Sequence, residues 1–156
     1  MSTPAWLPAI ITLNDHNGSW NDYIDAVYAV FRADFVASQP SLRGQRVGVR
    51  RHPSHDGKEF TFWHCVSEGK VEEHRTPDLR RCERIPWMRP IIDNHGDVDV
   101  WTVRKNRDER VHLWFGEEYL VVLGVRSSYY LLITAFPTNR QHTQNKLRKE
   151  RDRANP

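Results

Sequence analysis

The stretch between Val98 and Phe136 constrains the fold most. Four segments, VDVWTVR, VHLWF, YLVVLGV and YYLLITAF, are rich in β-branched and aromatic residues, and KNRDE, GEE and RSS separate them at hairpin lengths. Connections this short join antiparallel neighbours, so the stretch predicts a four-stranded meander. The last two strands are apolar on both faces and must be central or covered by a helix.

Upstream, Trp20, Ile24, Val27, Phe31 and Phe35 recur at spacings of four and three, the stripe of an amphipathic helix. Ser19 is its N-cap, Asp22 sits in its first turn and Pro40 ends it. RVGVRRH (46–52) and FTFWHCV (60–66) flank an Asp56-Gly57 turn signal and read as a hairpin, with His64 beside Phe60 and Phe62 on one face. Thr76-Pro77 starts a short helix that stops before Pro86. The order helix, hairpin, short helix, meander gives an α+β fold, an N-terminal helix packed on a curved antiparallel sheet. The 156 residues suit a single domain. It divides into an irregular N-terminal arm (1–18), a core (19–137) and a basic C-terminal tail (138–156), which forms a short helix or a disordered arm.

No apolar run reaches the length of a membrane span, and the N-terminus lacks the basic and apolar regions of a secretory signal. Two cysteines without such a signal point to a reducing, cytoplasmic setting without a disulfide framework. The net charge is only +3, so the placement of charge matters more than its total. Basic residues cluster at Arg43, Arg46, Arg50 and Arg51; at Arg75, Arg80, Arg81, Arg84 and Arg89; and in the tail. The planar fork of arginine suits phosphate, and Trp63, Trp87 and Trp101 near these clusters suit base stacking. The same charges also suit a solvated surface paired with neighbouring acids.

Metal-independent RNA cleavage needs a base for the 2′-hydroxyl, an acid for the leaving 5′-oxygen and a cation for the phosphorane. His64, Glu68 and Arg75 supply those residue types close together. His64 also reads as a satisfied core histidine and Glu68 as an ordinary turn acid. Thr134 places a hydroxyl inside an apolar strand, where it must bond a neighbouring strand or reach a phosphate; Tyr130 shares its predicted face, and Arg126 lies in the preceding turn. No CxxC, HExxH, P-loop or GxGxxG is present, so neither a metal nor a cofactor is expected.

The run RHPSHDGKEFTFWHCVSEG, then HRTPDLRRCERIPWMRPII, then the meander ending in YLVVLGVRSSYYLLITAFP resembles phage- and mobile-element-type toxin RNases of the barnase–EndoU–colicin–RelE-like superfamily. The likeness is one of pattern and order over residues 44–150. It implies N-terminal helical structure on a four-stranded antiparallel sheet. It also implies a site of histidine, a basic residue and a terminal-strand hydroxyl, here His64, Arg75 and Thr134 with Tyr130 and Arg126 in reserve. The expected function is a metal-independent endoribonuclease that cuts by 2′-hydroxyl attack, leaving a 2′,3′-cyclic phosphate. Arg50, Arg80, Arg81, Arg84, Arg126, Tyr130 and Trp63 would bind RNA, and an acidic antitoxin or immunity protein would silence the toxin. Two alternatives use the same residues without catalysis: a nucleic-acid-binding module, and an antitoxin or other interaction protein.

Overall fold

The computed structural model describes residues 3–156; the first two residues of the N-terminal arm lie outside the described residues. The helices are α1 (Trp20–Phe35), α2 (Phe60–Val66), α3 (Leu79–Glu83), α4 (Met88–Asp93) and α5 (Gln141–Ala154). The strands are β1 (Ser41–Leu42), β2 (Gln45–Gly48), β3 (Ser67–Glu68), β4 (Thr76–Pro77), β5 (Asp99–Lys105), β6 (Asp108–Phe115), β7 (Tyr119–Val125) and β8 (Tyr130–Pro137). Six strands form one curled sheet in the order β1-β2-β8-β7-β6-β5. The fold is α+β, and the meander β5 to β8 is antiparallel throughout. Among the described residues no helix is long and apolar enough to cross a membrane.

The main core lies on one face of this sheet. Val111, Leu113, Tyr119, Val121, Leu123 and Leu132 meet Val27, Phe31 and Phe35 of α1, Phe62, Cys65 and Val66 of α2, and Met88, Ile91 and Ile92 of α4. Ser19 caps α1 by accepting from Asp22 N, as its sequence predicts. The helix ends at Phe35, short of Pro40. The N-terminal arm is anchored rather than loose. Trp6 packs edge-on to Phe115, Tyr23 donates to the Ile11 carbonyl at 2.8 Å, and Leu13–His16 form a 3₁₀ turn closed by a Thr12–Asp15 capping box.

The hairpin expected over 46–66 does not form. FTFWHCV is helix α2, and β2 pairs instead with β1 and, in parallel, with Tyr130–Leu131 of β8. The physical reason is visible in which residues are buried. Phe62, Cys65 and Val66 are fully buried at spacings of three and four, so a helix sends all three into the core, whereas a strand splits them between faces. Thr61 then takes the place of a strand partner: its hydroxyl accepts from Arg50 N at 2.8 Å and lies 3.2 Å from the Arg50 carbonyl. Thr76-Pro77 is also not a helix start. It pairs with Ser67–Glu68, and Asp78 caps α3 by accepting from Arg80 N.

The opposite face of the sheet is covered only in part. The tail folds as α5, which lies across the β5 side through Leu147 on Trp101, Trp114, Leu120 and Val122. Trp101 Nε1 donates to Glu150 at 3.0 Å, Arg151 pairs with Asp99 at 2.8 Å, and Arg148 pairs with Glu117. The helical layer thus covers one face of β7 and β8, and α5 reaches Leu120 and Val122 on the other.

Candidate active site on the open face of the sheet

Strand register sets out this second face, beneath and beside α5. Trp101, His112, Val122 and Thr134 form one row across β5, β6, β7 and β8. The next row is Val103, Arg110, Gly124 and Leu131, extended by Gly48 of β2. A bulge in β8 creates this arrangement. The register slips between Val122 and Leu123, so Leu132 and Ala135 both enter the main core although they are three apart. Thr134 is thereby turned away from Tyr130, with which simple alternation had grouped it.

These rows and α5 enclose a concavity of about 520 Å³, lined by Arg110, His112, Val122, Thr134, Lys146 and Glu150 among others. His112 Nδ1 lies 2.8 Å from Glu150 Oε1, and its ring packs edge-on to Trp101. The contact is short but off-line for a hydrogen bond, so Glu150 sits against the ring edge without accepting from it. Nε2 has no protein partner among the described residues. Burial holds the His112 pKa below its ordinary value, outweighing the nearby Glu150 carboxylate. The imidazole is therefore neutral near pH 7, as a general base requires. Thr134 Oγ1 is buried without a hydrogen-bond partner, two strands from His112, a backbone separation of about 10 Å. Arg110 Nε sits 2.6 Å from Asp108 Oδ2, and Arg126 Nη1 is 3.6 Å from the other oxygen of that carboxylate. Arg126 lies flat over Gly124: a Cβ there would come within 2.7 Å of its guanidinium. Any side chain at 124 would lift this cation off the sheet.

The residues expected from sequence divide between this site and three other places. Thr134 lines it, and Arg126 lies next to it, against Asp108 of its lining. Glu68, Arg80, Arg81 and Arg84 line a second cleft of about 590 Å³ with Arg140, and Phe136 and Thr143 border both cavities. In that cleft Arg80 and Arg84 share the buried Glu83 carboxylate, while the Arg81 guanidinium lies 5.3 Å from the Phe136 ring centre. His64, on α2, and Arg75 sit together outside both cavities. Arg75 donates to the carbonyls of His64, Ser67 and Gly69, so it ties the end of α2 to the following turn. Burial and the Arg75 charge hold the His64 pKa down, and its Nδ1 is 3.5 Å from Glu72. Trp63 donates to the His55 carbonyl, Arg50 stacks on Phe60, and Tyr130 is buried in the main core.

Sequence reasoning missed His112, Glu150, Arg110 and Lys146. The alternation of VHLWF carried the signal for His112: if Val111, Leu113 and Phe115 face the core, His112 and Trp114 face the other side. Among the described residues no three His, Cys, Asp or Glu side chains converge as metal ligands would. The two cysteines are free and buried, their thiols pushed up to about 12 chiefly by desolvation. Comparison with family models, with curated proteins and with solved structures gives no match.

Proposed function

We propose that the chain is a metal-independent endoribonuclease whose reaction centre is the open face between β6 and β8. The observation that carries this reading is a half-buried histidine beside a carboxylate, in the same cross-strand row as an unpartnered buried hydroxyl, in a cation-lined concavity. In this reading His112 Nε2 takes the proton of the 2′-hydroxyl as its oxygen attacks the adjacent phosphorus. The bond from phosphorus to the 5′-oxygen breaks, and the Lys146 ammonium protonates that oxygen. Arg126 and Arg110 stabilise the charge on the phosphorane, and Thr134 donates to a non-bridging oxygen. Glu150 and Trp101 position the imidazole. The products are a 2′,3′-cyclic phosphate and a 5′-hydroxyl. The catalytic histidine is thus His112 rather than His64, which lines neither cavity. The basic groove calls for an acidic partner that covers it in the cell, as a toxin requires.

One observation favours a second reading. Glu150 bonds Trp101 as well as approaching His112, so the pair also serves to dock α5. In that case the chain is a non-catalytic RNA-binding module. Controlled expression of wild type, His112→Ala and His64→Ala, with the 5′ ends of new RNA fragments mapped, separates the two. The expected result is growth arrest and 5′-hydroxyl fragments from wild type and His64→Ala. His112→Ala should cut about 10²–10⁴-fold more slowly. Equal cleavage by His112→Ala, products bearing 5′-phosphates, or no cleavage at all would overturn the proposal.

A further inference from the structure

Four exposed arginines follow one another along one edge of the sheet where the proposed reaction does not use them: Arg43 at the β1–β2 turn, Arg46 on β2, and Arg50 and Arg51 just after it. None has a carboxylate within ion-pair distance among the described residues, unlike Arg80, Arg84, Arg110 or Arg148. Two are held flat on aromatic rings, Arg46 at 4.7 Å from the centre of Tyr129 and Arg50 at 4.1 Å from that of Phe60. Like charges close in sequence without counter-ions repel one another, and the ring contacts of Arg46 and Arg50 leave the charges of all four unneutralised.

The turn provides an independent observation. Arg43 and Gly44 both have positive φ, 52° and 81°, in a two-residue hairpin loop of the type I′ kind. Asn, Asp and Gly favour the first of these positions, and arginine is disfavoured there. An arginine held at the tip of such a turn is not explained by the turn.

The position of the cluster connects it to the groove. Val47 points into the main core, so Arg46 and Gly48 lie on the opposite face, the one that carries His112 and Thr134. A Cβ on Gly48 would stand 3.0 Å from the Arg46 guanidinium, so this glycine, like Gly124, leaves room for a cation to lie on the sheet. Arg126 N donates to the Tyr129 carbonyl at 3.0 Å, and the Tyr129 ring carries Arg46. The cations therefore continue from Arg110 and Arg126 over the start of β8 to Arg46 and the hairpin tip.

The geometry points to a second RNA-contact surface, in which Arg43, Arg46, Arg50 and Arg51 grip the phosphate backbone of a bound strand beyond the nucleotides at the scissile bond. This rests on the RNA reading of the groove. A lipid surface fits less well, because the exposed large apolar residues, Trp20, Val71 and Leu79, all lie outside the cluster.

The test uses the full chain, wild type against Arg43→Gly/Arg46→Gln/Arg51→Gln, with fluorescent 2′-O-methyl RNA that cannot be cleaved. Glycine suits the turn, and an unchanged melting temperature checks the fold. For an oligonucleotide of about 20 nucleotides the variant should bind about 10–100-fold more weakly, and its salt slope should fall by about 2, for three lost contacts at ~0.7 each. A tetranucleotide should bind both proteins equally. An unchanged long-strand affinity and slope would overturn the inference. So would equal losses at both lengths, which would place these arginines in the reaction cavity. So would phosphatidylserine vesicles that depend on the three arginines while RNA does not. Length-dependent binding by a protein that cleaves nothing would support this surface and overturn only the catalytic reading.

Discussion

Thr134 carries a structural cost that its place in the proposed site would explain. Its hydroxyl is buried on β8 with no partner, and an unsatisfied buried hydroxyl costs about 1–3 kcal/mol. Thr134→Val keeps the shape and removes that cost. The variant should raise stability by about 1 kcal/mol in urea unfolding and lower RNA cleavage at least about tenfold. Lower stability, or unchanged activity, would remove Thr134 from the site. This residue was legible in the sequence because a hydroxyl in an apolar strand demands an explanation. Arg126 was legible as a cation beside the same strand. His64 was conspicuous for its Phe neighbours, but that grouping assumed a strand. In helix α2 the same spacing stacks His64 on Phe60, and Arg75 is occupied by three carbonyls. A side chain's donors can be counted from sequence, but the backbone groups that will use them cannot.

At the scale of elements, local and non-local signals separate cleanly. The four meander strands were legible because their turns and alternation are local properties of the chain. Helix α2 was not, because seven mostly apolar residues fit both periods, and packing against α3 and β8 selects one. The tail was undecided between helix and disorder for a related reason. Leu147 is the only buried residue that α5 contributes, and a polar helix with one apolar anchor is stable only when docked. Leu147→Ala should therefore cost about 2–4 kcal/mol, near the range for a buried leucine, and expose Trp101 and Trp114. Red-shifted tryptophan fluorescence and loss of helical circular dichroism check this. A loss below about 0.5 kcal/mol would mean that the ion pairs of Arg148 and Arg151 hold α5 unaided.

At the scale of the whole molecule, two histidines couple stability to pH. His64 and His112 both have pKa values held below the ordinary 6.5, chiefly by burial. In the unfolded chain they take up protons as pH falls through about 6.5, while in the folded chain they stay neutral to lower pH. The unfolded state then binds more protons, so stability falls on acidification, starting near pH 6.5 and ending below the folded values. The urea midpoint should drop between about pH 8 and pH 5.5, and His64→Gln/His112→Gln should flatten that slope. An unchanged slope in the double variant would assign the effect to the carboxylates. Cleavage should show an acid limb below pH 6.5, where His112 becomes protonated.

The sequence by itself determined the meander, the first helix with its Ser19 cap, the α+β class and the presence of arginine clusters. Each follows from neighbours within a few residues: a turn, a period, a cap or a run of like charge. Only the tertiary structure decided that β2 joins β8 in parallel, that FTFWHCV is helical, that α5 docks across the second face, and that His112 meets Glu150 and faces Thr134. These features bring together residues distant in the chain, and the free energy that selects them comes from burying surfaces against each other. No local pattern encodes which surfaces will meet.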